Sequence, residues 1–227
     1  MKNFYKSAHY DSRRICEKFY TEKTEQLKNS FDFETDKRNT TSYEIEKLNL
    51  DELQLDKLRL GISQLLTDNY YTILLGLDGS ATIGEGNQET FKIFDENENL
   101  ISDCGEIEAE AYDFFYGYKY EIENSNADFI ATVTYAKSEN YGRTTPVKSG
   151  YRPQTQFEFD KMQTSGQQTF FDREFVYPGE TVICGISIGI PDYFRNKLKH
   201  GVNFKFYEGS NLIGEGTVLK INKILEE

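Results

Sequence analysis

NYGRTTPVKSGYRPQTQFEF, Asn140 to Phe159, joins a tight glycine turn, a proline-punctuated crossover and a run of alternating side chains. Gly142, Pro146, Gly150 and Pro153 stand where a backbone must bend or leave a hydrogen-bonded ladder. Tyr135, Phe157 and Phe159 fall on period-two positions, the spacing of strand residues. The stretch predicts the opening of a β-barrel. Strands are expected at Asp128 to Ala136 before it and at Tyr151 to Phe159 within it. KMQTSGQQ then reads as a polar excursion, followed by strands at Thr169 to Val176 and Thr181 to Ile190 across a Pro178-Gly179 turn. The loop PDYFRNKLKHG carries a basic cluster of Arg195, Lys197 and Lys199 and leads to Val202 to Glu208. Asn211 to Ile221 closes the series, with Gly214 and Gly216 suited to a bulge or a close backbone approach.

Together with FVYPGETVICGISI and VNFKFYEGSNLIGEGTVLKI, this stretch resembles the C-terminal, third domain of elongation factor Tu over about Asp128 to Leu225. The resemblance implies an all-β closed antiparallel six-stranded barrel. In that family the domain touches the T-stem backbone of aminoacyl-tRNA, the GTPase domain and the nucleotide-exchange factor. Its tRNA-contacting positions fall here on Arg143, Gln154, Glu208 and Gly209, which match in residue type. The chain departs from the family elsewhere: Thr144 replaces a histidine, Tyr141 a glycine and Thr155 an aromatic. YEGSN stands for REGGR, so Tyr207 and Asn211 replace two arginines and remove phosphate-binding charge. Arg152 and Gln154 also have a purely structural reading, as side chains that satisfy neighbouring backbone groups in a barrel.

Residues 1–125 read as an acidic α+β domain, followed by the barrel over 126–227 through a linker at ENSNA, residues 123–127. Tyr10 to Asn29 predicts a helix with a thin apolar stripe and Asp11 or Ser12 at its N-cap. FDFETDKRNTTSYEIEK reads as a loop. LNLDELQLDKLRLGISQLL is open to strand or helix, with length and composition favouring helix and Asn49 or Asp51 at its start. YYTILLGL reads as a buried strand ending at Asp78-Gly79. A hairpin follows, with Phe91, Ile93, Leu100 and Ile101 around a DENEN turn, then a helix over EIEAEAYDFFYGY ended by Gly117.

Charge divides the chain unequally. Residues 1–125 hold 14 Lys+Arg against 26 Asp+Glu, a balance of −12, while residues 126–227 hold 12 of each. The excess negative charge repels phosphate backbones and steers basic surfaces toward the first half, so tRNA is disfavoured as a partner and a basic protein is favoured. Cys16, Cys104 and Cys184 are too scattered for a disulfide framework or zinc site and read as reduced thiols. No signal peptide or run of about 18 apolar residues is visible, so a cytoplasmic protein without a membrane partner is expected.

Catalytic motifs are wanting. IGEGNQET lacks the lysine of a phosphate-binding loop, so no GTP binding or hydrolysis is expected. His9 and His200 lie in no metal pattern, and His9 with Cys16 makes a poor nucleophile pair. Asp95, Asn97 and Asn99 imitate a calcium loop but place Leu100 where its glycine belongs, so a hairpin turn is the better reading. No cofactor or metal is expected. Asp95 to Glu123 holds ten acidic residues against Lys119 alone. The plain reading is a solvated face. The sharper one is a docking face of Glu106, Glu108, Glu110 and Asp113 with the aromatics of YDFFYGYKY as anchors. These features point to a non-catalytic protein-binding module that docks or neutralises a basic partner; the alternative is a translation-associated binder of tRNA or the ribosome through Arg143, Gln154 and the loop from Arg195 to Lys199.

Overall fold

The computed structural model describes residues 4–34, 40–102, 105–140 and 142–222, with side chains from Ser12 onward except that of Asn140. The chain divides into two compact units, Met1–Tyr120 and Glu121–Glu227.

In the first unit, helix α1 (Phe4–Ser30), α2 (Thr40–Glu46) and α3 (Glu52–Leu77) precede a hairpin of β1 (Ile93–Phe94) and β2 (Leu100–Ser102). Helix α4 (Glu106–Phe115) follows, and α5 (Lys119–Asn124) crosses into the second unit. The core is the meeting of α1, α3 and α4: Cys16, Tyr20, Leu74, Ile107, Ala111, Phe114 and Phe115 are buried together. Asp51 starts α3 through a reciprocal capping box, its carboxylate accepting from the Gln54 amide at 2.8 Å while the Gln54 side chain accepts from the Asp51 amide at 3.0 Å.

Three expectations for this half are corrected. Tyr70 to Leu77 is the last two turns of α3 rather than a strand. Helix α3 runs unbroken through Thr67-Asp68-Asn69, where Thr67 is buried and Gln64 donates to Asp68 one turn on at 2.8 Å. The segment read as a loop contains α2, with Ile45 buried, although residues 35–39 lie outside the described ones. Asp11 and Ser12 lie inside α1 rather than at its start. Cys104 and the His9 side chain also lie outside the described residues.

The second unit is a closed antiparallel barrel of six strands in the order β10–β3–β8–β6–β5–β9. They are β3 (Phe129–Tyr135), β5 (Gln154–Phe157), β6 (Gln163–Phe170), β8 (Thr181–Ile188), β9 (Asn203–Glu208) and β10 (Asn211–Ile221). A two-stranded ribbon of β4 (Val147–Lys148) and β7 (Phe175–Val176) and the short helix α6 (Pro191–Phe194) complete it. Closure leaves the barrel strands without an open edge. The interior is aromatic: Phe129, Phe157 and Phe204 meet pairwise at 5.8–5.9 Å, and Tyr135 meets Phe206 at 5.1 Å. Each buried phenylalanine contributes about 1.5–3 kcal/mol. The turn before β8 is set by Pro178-Gly179, with the Glu180 amide donating to the Tyr177 carbonyl at 3.1 Å and Gly179 at φ +89.

KMQTSGQQ is not an excursion, since most of it forms β6. Its inward positions Thr164, Gly166 and Gln168 are small or polar, which hid the alternation. The strand read as Tyr151 to Phe159 is confined to Gln154–Phe157, because the Asp160 amide closes a turn onto the Phe157 carbonyl at 3.1 Å. Phe159 therefore stacks on Phe157 from outside the strand, at 5.5 Å, and stays 40% exposed.

Candidate interaction site at one end of the barrel

The loop after β3 bends back along the barrel. Gly142 permits this: a side chain there would run into the carbonyls of Ala136 and Lys137, at 2.2 and 2.6 Å from its Cβ. The next residue, Arg143, is thereby aimed at the β9–β10 hairpin. Its Nη1 donates to Glu208 Oε1, its Nη2 donates to Thr145 Oγ1 at 3.2 Å, and its guanidinium lies 5.4 Å from the centre of the Tyr151 ring. Tyr151 donates its hydroxyl to the same Glu208 oxygen at 2.6 Å. Burial and the Glu208 carboxylate push the Tyr151 phenol up, so it is a donor across the working pH range. Gly209 forms the hairpin turn in the left-handed region, at φ +58, which favours glycine. Gln154 is exposed in β5, opposite Tyr207 on one side and Ser165 on the other.

Arg143, Glu208 and Gly209 are thus brought together, with Gln154 across the β5–β9 ladder. Tyr151 was missing from the sequence reading of this cluster; the hydroxyl that ties it to Glu208 joins residues 57 positions apart. Tyr141 lies outside the described residues. Arg143 is paired with the Glu208 carboxylate within the chain, while Arg152 donates to the neutral side chain of Gln167. The basic loop does not join it. Lys199 precedes the start of β9 and Glu208 ends it, so a strand of six residues, about 20 Å at ~3.3 Å per residue, separates the two. Within that loop Arg195 pairs with Asp192 at 2.7 Å, and Lys197 approaches Asp160 at 3.8 Å.

An open groove of about 760 Å³ lies on the outer wall, bounded by Thr132, Gln156, Lys205, Glu215 and Thr217 among others. Several of its polar groups partner one another: Glu158 accepts from Asn203 at 3.1 and 3.2 Å, and Thr217 donates to Asn203 at 2.8 Å.

The four acidic residues expected to form one docking face do not share one. At 3.6 residues per turn Glu108 points almost opposite to Glu110. Glu110 is turned inward, 5% exposed, and holds Lys119 at 2.7 Å. Asp113 lies on the Lys119 side as well, at 3.7 Å. One oxygen of Glu106 is closed off from solvent without a hydrogen-bond partner, in the first turn of α4 where the helix dipole favours negative charge. Phe114 and Phe115 are core residues, so they are not surface anchors, whereas Tyr112 and Tyr116 are 56% and 37% exposed.

No other reactive constellation is present among the described residues. Cys16 is fully buried, and burial with the nearby Glu110 and Asp78 carboxylates raises its thiol to about 12, which makes it a poor nucleophile. Burial raises the Cys184 thiol likewise. No group of carboxylates, histidines or cysteines suited to a metal appears among these residues. Asp95 accepts from the amides of Asn97 and Asn99 at 2.8 and 2.9 Å, which makes DENEN a hairpin turn. The repeated IGEG string has two unrelated settings: Ile83 to Gly86 is irregular, whereas Ile213 to Gly216 lies in β10. No helix among the described residues is long and apolar enough to cross a membrane.

No protein-family model matches the chain. Elongation factor Tu 2 of Streptomyces avermitilis is 34% identical over 95 residues, which is 41% of this chain and 22% of that protein. The chain thus matches only about a fifth of that relative's length. This partial match and the closed six-stranded barrel fit a C-terminal domain of the elongation factor Tu kind.

Proposed function

We propose that the chain is a non-catalytic protein-binding module in which a translation-factor-like barrel is joined to an acidic helical unit that docks or neutralises a basic protein. The observation that carries this reading is the division of charge: the whole balance of −12 lies in residues 1–125, and residues 126–227 balance to zero. Such a surface accelerates encounter with a basic partner and repels nucleic acid. The internal ion pair of Arg143 with Glu208 supports it, because the arginine aligned with a phosphate-contacting position already has a carboxylate partner.

A second reading, binding of tRNA at the barrel end, is favoured by one observation: Arg143, Glu208 and Gly209 assemble beside Gln154. The two readings separate in a pull-down from native cytosol, with and without nuclease, at low and moderate salt. The protein-binding reading expects a basic protein that survives nuclease and is released by salt, with slower association after Glu108→Lys and Asp113→Lys. Recovery of tRNA in the untreated eluate, lost with nuclease and with Arg143→Gln, would overturn it in favour of the second.

A further inference from the structure

Where α3 and α4 run side by side, their outer edges carry Tyr71 on one and Tyr112 and Tyr116 on the other. The Tyr71 and Tyr116 rings meet edge to face at 5.0 Å and 89°, and Tyr112 lies against Tyr116 at 5.7 Å with a tilt of 32°. Tyr112 is 56% exposed and Tyr116 37% exposed. Two carboxylates flank the rings. Asp68, one turn before Tyr71 on α3, accepts the Tyr116 hydroxyl at 2.8 Å. Glu108, one turn before Tyr112 on α4, is exposed and near enough to Tyr71 to raise its phenol, after burial itself.

Rings in this setting attract cations. The face of a phenol ring is negative, a hydroxyl that donates to a carboxylate makes it more so, and Asp68 and Glu108 add full charges at the rim. Elsewhere on the surface the chain supplies the cation itself: Lys47 sits 4.0 Å from the Tyr43 ring and Lys197 sits 3.5 Å from the Tyr193 ring. Among the described residues no lysine or arginine lies over Tyr71, Tyr112 or Tyr116.

We infer that Tyr71, Tyr112 and Tyr116, with Asp68 and Glu108, form a clamp for a lysine or arginine side chain presented by a basic protein partner. This inference rests on the reading that the acidic unit docks a basic protein, and it names the chemistry of the contact. The rings supply apolar surface for the methylene stem and a negative face for the charged head, and the carboxylates supply the matching ion pair. Acidic residues spread over the rest of the unit steer the partner, whereas the clamp holds one residue of it.

The test uses the full-length chain and fluorophore-labelled octa-arginine and octa-lysine peptides, read by anisotropy at low salt, with an octa-(acetyl-lysine) peptide as the neutral control. Binding of both cationic peptides and not of the control is expected. Tyr112→Leu with Tyr116→Leu keeps apolar surface but removes the ring faces, and should weaken binding about fivefold to twentyfold. Tyr112→Phe keeps a face and should change it less than twofold. Circular dichroism verifies that each variant is folded, and if the double variant is not, Tyr112→Leu alone, at a ring 56% exposed, should weaken binding about twofold to fivefold where Tyr112→Phe does not, and equal affinity of these two variants would overturn the clamp. Equal affinity of the double variant and the parent would overturn the clamp while leaving the acidic docking surface in place. Failure of the parent to bind either cationic peptide would also overturn the clamp, and the pull-down then judges the wider reading on its own.

Discussion

Asp78 illustrates how one residue organises the first unit. It is fully buried at the C-terminal end of α3, where its Oδ1 accepts from the Ser102 hydroxyl at 2.6 Å and its Oδ2 accepts from the Ile107 and Glu108 amides at 3.1 Å. It therefore caps α4 from 29 residues away, in place of Gly105, which has no side chain to do so. Asp78→Ala would leave two helix-end amides and a buried hydroxyl without an acceptor and should cost about 2–3 kcal/mol in urea denaturation. A loss under about 0.5 kcal/mol would mean that solvent or another group replaces the cap. Glycines give a paired prediction of opposite sign. A Cβ at Gly216 would meet the Phe204 ring at 2.4 Å and the Thr132 carbonyl at 2.7 Å, so Gly216→Ala should destabilise the barrel by about 1–3 kcal/mol. At Gly61, inside α3, a Cβ meets nothing within 4 Å, and Gly61→Ala should stabilise by about 0.5–1 kcal/mol. Thermal melts of the two variants should move in opposite directions.

Among the elements, β6 shows where sequence patterning stops being informative. Gln168 points into the barrel fully buried and is tolerated because the Tyr135 hydroxyl donates to its Oε1 at 2.5 Å. Gly166 leaves room for Thr155, whose Oγ1 would lie 2.5 Å from a Cβ there. Tyr135→Phe removes the donor and leaves a buried amide oxygen unpaired, at about 1–2 kcal/mol; adding Gln168→Leu should restore part of that loss. A double variant no better than the sum of the two singles would remove this pairing as the reason for the buried glutamine. Strands β3, β8 and β9 were legible because Phe129, Val133 and Tyr135, then Val182, Ile186 and Ile188, then Phe204 and Phe206 recur at even spacings, whereas β10, with Gly214 and Gly216 inward and a shifted register, was found through the resemblance. Most of strand β6 was not legible, since Thr164, Gly166 and Gln168 precede Phe170 on its inward face and carry no hydrophobic period. The second half of α3 was misread for the opposite reason: YYTILLGL is apolar on every side, and a short apolar run does not distinguish strand from helix. At the barrel end, Arg143, Glu208 and Gly209 were found through the resemblance. Tyr151, and the opposed directions of Glu108 and Glu110, required the fold.

At the scale of the whole molecule, both units bury acids in their protonated form, which sets a limit on alkaline stability. Cys16 in the first unit is held at about 12 against an ordinary value of 9.0, through burial first and then the Glu110 and Asp78 carboxylates. Cys184 and Tyr135 in the barrel are also raised, burial being the largest cause for each. Below pH 9 the Cys16 thiol is protonated whether the chain is folded or not, so it contributes no pH dependence. Between pH 9 and about 12 the unfolded chain releases this proton while the folded chain keeps it. The unfolded state then binds fewer protons, so stability must fall as pH rises, with a limiting slope of about 1.4 kcal/mol per pH unit for one such group. Melting temperature should therefore be nearly flat from pH 7 to 8 and decline from pH 9 to 10, below the midpoint of lysine titration at about 10.4. Cys16→Ala should reduce that decline relative to the parent, whatever it does to the melting temperature at pH 7. An unchanged slope in the variant would show that the thiol is reached by water in the folded chain, and that the α1–α4 contact around it opens more readily than its burial implies.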